Sequence, residues 1–135
     1  MEKFTLILVV SFILFVGQSC NKENNYAKII SGPNFKLWKV IQGNIPVSKA
    51  SYYYYFTRKG GFKIYEKYYN TDSVIPYYSG DVMYDRTWKI KNDQIITIAK
   101  FDYKILKISD DTVKLSAQNS DSIVMIRSDD KITIR

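Results

Sequence analysis

Histidine is absent from the 135 residues, and cysteine occurs once, at Cys20. Without imidazole the chain has no proton carrier tuned near neutral pH, no Ser-His or Cys-His nucleophile pair, and no ordinary zinc or copper ligand set. One cysteine cannot close a disulfide within the chain. Acidic residues are a minority, 13 against 20 basic. Asp110, Asp111, Asp129 and Asp130 fall in paired turn positions, where local backbone hydrogen bonding is duty enough. Asp93, Asp102 and Asp121 read as loop residues, and Arg58-Lys59-Gly60-Gly61 lacks the spacing of a phosphate-binding loop. No convincing amphipathic helix is present, although Asn25 to Ile30 could hold one turn before Gly32-Pro33. These absences lead to the expectation of a non-enzymatic protein with no cofactor and no metal site.

What is present is a globular mixture, 46% hydrophobic and 24% charged, with an aromatic share of 16% that includes 12 tyrosines. That length accommodates one domain, and Tyr, Ile and Val suit a pleated, half-buried surface. The net charge of +7 attracts anions over long range in a salt-sensitive way. The lysines are scattered rather than clustered, so the charge is read as solubility and no nucleic-acid partner is expected.

Phe4 to Val16 is apolar except for Thr5 and Ser11, and it follows Lys3. A membrane-spanning helix needs about 20 apolar residues and a signal-peptide core about 7 to 15, so this stretch has the length of a cleaved leader. Gly17-Gln18-Ser19-Cys20 closes it and resembles the lipobox of bacterial lipoproteins, with Gly17 where leucine is usual. The resemblance implies removal of residues 1–19, lipidation of Cys20, and attachment through it to a membrane of the bacterial cell envelope. The outer membrane is expected, on its periplasmic or surface face. Asn21 to Asn25 is polar, and residues 20–31 are assigned to a lipidated tether, leaving 32–135 for the domain.

In that domain, short runs rich in Ile, Val, Tyr and Phe alternate with turn signals, which predicts an antiparallel all-β domain. Candidate strands are Phe35 to Ile41, Ser51 to Arg58, Phe62 to Tyr69, Val82 to Lys91, Gln94 to Lys100, Tyr103 to Ser109, Thr112 to Ala117, Ser122 to Arg127 and Lys131 to Arg135. Gly60-Gly61, Asn92-Asp93, Asp110-Asp111 and Asp129-Asp130 supply turns. Period-two alternation in Trp88/Ile90, Leu106/Ile108, Val113/Leu115 and Ile132/Ile134 gives each strand one apolar face. Asn70 to Asp81 is the longest interruption and reads as a lid or rim.

Phe35-Lys36-Leu37-Trp38-Lys39-Val40, Tyr55-Phe56-Thr57-Arg58-Lys59-Gly60, Trp88-Lys89-Ile90-Lys91-Asn92-Asp93 and Ile108-Ser109-Asp110-Asp111-Thr112-Val113-Lys114-Leu115 stand in an order and spacing similar to those of lipocalin-like domains of small bacterial lipoproteins. The resemblance implies an up-and-down β-barrel of about eight to nine strands, either filled by side chains or holding one small ligand. Arg127 or Arg135 would then stack over Trp38. A small apolar ligand would be held by Trp38, Tyr54, Phe56 and Trp88, or the domain would serve a structural role in the envelope. The alternative is a surface module that binds glycan or protein through outward members of the run Tyr52-Tyr53-Tyr54-Tyr55 with Tyr77, Tyr78, Tyr84 and lysines; turn register decides which tyrosines face out.

Overall fold

A computed structural model describes residues 24–43, 50–77, 86–117 and 120–130. The leader, Cys20, Tyr78, Tyr84 and the proposed last strand from Lys131 to Arg135 lie outside the described residues. The described chain opens with a helix, α1 (Asn25–Ser31). Strands β1 (Phe35–Gln42), β2 (Ala50–Thr57), β3 (Phe62–Tyr68), β4 (Ile75–Pro76), β5 (Trp88–Asn92), β6 (Ile95–Ile98), β7 (Phe101–Ile108), β8 (Thr112–Ala117) and β9 (Ser120–Arg127) follow.

All nine strands join one antiparallel sheet in the order β4-β3-β2-β1-β9-β8-β7-β6-β5. Sequence neighbours pair as hairpins, and β1 also pairs with β9, so the meander curls into a half-barrel. Its two edges meet at Gly61 and Thr87, where Phe62 donates to the Arg86 carbonyl at 2.8 Å and Trp88 to the Gly60 carbonyl at 2.9 Å. Both glycines are required there. Gly60 has φ +88°, a left-handed conformation that side chains disfavour, and a Cβ on Gly61 would come within 2.7 Å of Thr57 Oγ1.

Alternation sets the inner face. The register aligns Trp38 with Tyr54 and Ile64, and Val40 with Tyr52 and Glu66. Trp38, Phe56, Phe62, Trp88, Ile96, Ile98, Val113, Leu115, Ile123 and Met125 form one continuous core with Ile30 of α1. A β-bulge at Ile105/Lys107 shifts the phase of β7. Ile105 and Ile108 pack inward and Leu106, expected inside, is 46% exposed. The turn between β6 and β7 also differs from expectation, falling at Ala99-Lys100, both left-handed at φ 50° and 72°. Consecutive positive φ values match the twist of a two-residue hairpin, and tertiary pairing imposes them without Asn or Gly. Strand β4 lies inside the stretch read as a loop.

Helix α1 corrects the tether boundary. Asn24 caps it, its side chain accepting from the Tyr26 amide at 2.9 Å. The helix packs across one end of the half-barrel against β1, β2, β5 and β7, with Ile30 fully buried. The end of residues 20–31 therefore belongs to the domain, because an Ile and an Ala one turn apart give even a short helix a face to bury. The Trp38 indole nitrogen donates to the Ile30 carbonyl at 2.8 Å. The cation over the Trp38 ring is Lys36, with Nζ 4.2 Å from the centroid; Arg127 pairs instead with Asp129 at 3.3 Å. Lys36 is held in place because it also donates to the carbonyls of Ile29 and Asp110.

Ile30→Ala is expected to cost about 2 to 5 kcal/mol of folding free energy through lost burial and the cavity left behind. Trp38→Phe is expected to cost about 1 to 3 kcal/mol by orphaning a buried carbonyl. Urea unfolding curves measure both.

Candidate functional site

The four residues expected to hold a ligand are brought together. Phe56 and Trp88 meet edge to face at 5.4 Å, and Tyr54 lies 6.3 Å from Phe56 and 5.1 Å from Phe62. Trp38 and Phe56 are fully buried and Trp88 nearly so. Both indole N–H groups are taken by backbone, Trp38 by Ile30 and Trp88 by the Thr57 carbonyl at 2.9 Å. Packing and donor use make these three rings the wall of the core. Tyr54 is half-buried and leads away from it.

Away from α1, the inner face of β1 to β4 changes character. Val40, Tyr52, Tyr54, Ile64 and Tyr77 are half-buried, and Tyr68 and Ile75 are 39% and 42% exposed. Tyr52 and Tyr77 stand perpendicular, centroids 5.3 Å apart. Tyr77 reaches the site because its amide donates to the Ile64 carbonyl at 2.9 Å, which extends β4 along β3. In this collar sits Glu66, only 9% exposed, accepting from the Tyr68 hydroxyl at 3.2 Å. That hydrogen bond, and the negative charge behind it, push the Tyr68 phenol above its ordinary range. The Tyr52 phenol is raised first by burial and then by Glu66. Sequence reasoning missed Glu66. Its signal was an acid at an inward position of an otherwise apolar and aromatic face, legible only once the β2–β3 register was known.

The tyrosine run divides between the faces. Tyr53 points outward and is nonetheless buried, joining Leu37, Tyr65 and Val74 in a second apolar cluster against which Tyr55 packs. The Tyr53 hydroxyl donates to Asp130 Oδ2 at 2.7 Å. An outer groove of about 590 Å³ lies beside this cluster, lined by Ile29, Phe35, Leu37, Tyr55 and the charged Lys28, Lys36, Arg127, Asp129 and Asp130. Its charges already serve one another or the backbone: Arg127 holds Asp129, Lys36 holds two carbonyls, and Asp130 holds Tyr53. The inner collar, with a carboxylate that among the described residues is bound by a phenol alone, is the better candidate site. No group of three metal-ligating side chains gathers among the described residues, and no helix among them is long and apolar enough to cross a membrane.

Burial, followed by the bond to Asp130, raises the Tyr53 pKa, while the Tyr53 bond lowers that of Asp130. A raised tyrosine contributes stability that is whole below its ordinary pKa of 10.0 and declines as pH rises beyond it. A depressed aspartate contributes stability present above its ordinary 3.8 and lost as pH falls through its lower folded value. Tyr53→Phe should therefore flatten both flanks of the stability–pH curve and return Asp130 toward the ordinary carboxylate range, read by denaturation across pH and by NMR titration.

Comparison with known proteins finds no family model, no curated protein and no solved structure that matches this chain.

Proposed function

We propose that the chain is a non-enzymatic exported lipoprotein, tied to the bacterial envelope by acyl chains on Cys20. Its half-barrel, lipocalin-like in the order of its motifs, takes a small apolar molecule at the tyrosine collar. The observation that carries the binding half is the burial gradient along one face. Inner side chains are sealed beside α1, as Trp38 and Phe56 are at 0% exposure, and become half-buried aromatics at Tyr52, Tyr54 and Tyr77. Partly wetted aromatic surface on a concave, rigid sheet is what a small apolar ligand needs, with few polar groups to fix its orientation. The surface-module alternative is disfavoured because Tyr53 and Tyr65, two outward tyrosines of β2 and β3, are 1% and 2% exposed.

The anchoring half rests on the lipobox resemblance and on acyl-chain arithmetic. Each buried methylene contributes about 0.8 kcal/mol, so several chains on one residue hold firmly where one is marginal.

The neutral apolar dye N-phenyl-1-naphthylamine is expected to bind the purified chain saturably, with enhanced fluorescence. Ile64→Trp, which fills the collar, should weaken that binding about tenfold or more. Absence of saturable binding, with no ligand co-purifying in native mass spectrometry, rejects the carrier reading. Intact-mass analysis of protein from a bacterial host should show acyl additions and a new terminus at Cys20, and Cys20→Ala should leave the product unacylated and free of the membrane fraction.

A further inference from the structure

We propose that the collar recognises a positively charged organic amine with an apolar tail, its ammonium seated against the Glu66 carboxylate between the rings of Tyr52, Tyr68 and Tyr77. This rests on the reading of the collar as a ligand site and adds the chemistry of the ligand's head.

Glu66 is the starting point. As a residue Glu66 is 9% exposed, and its carboxylate accepts a hydrogen bond at 3.2 Å from the Tyr68 phenol. Buried charges in proteins are ordinarily paired, yet no cation pairs with Glu66 among the described residues. The cations of the surrounding strands are directed elsewhere. Lys39, Lys63 and Lys67 occupy outward positions, since their register partners are Tyr53, Tyr55 and Ser51. The inward Lys36 aligns with Phe56 and Phe62, four residues below Glu66 along β3, or roughly 13 Å at the rise of a strand, and it is bound to the helix end. Among residues whose side chains are described, the inward positions of β6 and β8 opposite are apolar: Ile96, Ile98, Val113 and Leu115. Among the described residues Glu66 is thus an acidic side chain in an aromatic and aliphatic surround.

The rings supply the second element. Tyr52 and Tyr77 meet at 89°, forming two walls of a corner, and Tyr68 is tied to the carboxylate itself. Ring faces attract cations through their negative quadrupole. A charge-assisted hydrogen bond to the carboxylate is about twice as strong as a neutral one. A hydroxyl head group could use the carboxylate but not the rings, and a carboxylate head would be repelled. The tail of an amine would run toward Ile64 and Tyr54, which pack against the main core. The net charge of +7 opposes cation approach at long range, but salt at about 0.15 M screens it over roughly 8 Å, leaving contact chemistry to decide.

The experiment compares decylamine, protonated at pH 7, with 1-decanol and decanoate, each displacing N-phenyl-1-naphthylamine from the purified chain below its aggregation concentration. Decylammonium should compete at about one tenth the concentration of decanol, with decanoate weakest. Glu66→Gln should remove the advantage of the amine and leave decanol unchanged. Decanol or decanoate competing as well as the amine overturns this inference while the apolar-carrier reading stands. Failure of the dye and of all three competitors defeats both. Should Glu66→Gln lose its near-ultraviolet circular dichroism, the ranking of the three compounds on the unaltered chain still decides which head group the collar prefers.

Discussion

The hydrogen bond from the Trp38 indole to the Ile30 carbonyl joins a seven-residue helix to the sheet it closes, and its neighbours show how that joint is made. A helix leaves its last carbonyls without intrahelical partners. Here three are met: Lys28 by the Gly32 amide, Ile29 by the Lys36 ammonium and Ile30 by the Trp38 indole. Two of these three donors come from alternate residues of β1. So short a helix is marginal alone; the strand that follows it adds to its hydrogen bonding and supplies the core into which Ile30 and Ala27 fit. One end of the half-barrel is sealed by this means, and among the described residues the tyrosines stand further along the inner face.

The two faces of β2 and β3 show how one composition serves two purposes. Tyr53 and Tyr65 are buried on the outside by Leu37 and Val74, with Asp130 receiving the Tyr53 phenol. Tyr52 and Tyr54, one residue away, face inward and remain half-buried. A one-residue change in register would exchange these sets. The Gly60-Gly61 hairpin, which pins Phe56 opposite Phe62, therefore determines which tyrosines face inward.

Much of the fold was legible because apolar alternation and turn chemistry are local. Thr112–Ala117 appears with the expected bounds, and Asn92 closes its turn as anticipated, its side chain accepting from the Gln94 and Ile95 amides. The failures share a cause. The bulge that turns Leu106 outward, the left-handed pair Ala99-Lys100 and the brief strand Ile75–Pro76 are set by partners on other strands, which no local pattern records. The candidate site divides similarly. The clustering of Trp38, Tyr54, Phe56 and Trp88 followed from their richness in β-forming aromatic context, whereas the inward turn of Glu66 and the arrival of Tyr77 depended on pairing between strands.

The seam at Gly60–Phe62 and Arg86–Trp88 has mechanical consequences of its own. The paired strands elsewhere are held by ladders, some of them bulged, but among the described residues the circumference is clasped here through an isolated bridge, while the upper part of β3 pairs with the two residues of β4. The girth of the half-barrel is thus fixed at one height, directly over the Trp88 and Phe56 rings, and set above it by a much lighter fastening. Any adjustment in width would be taken up first along β4, with the clasp as its fulcrum.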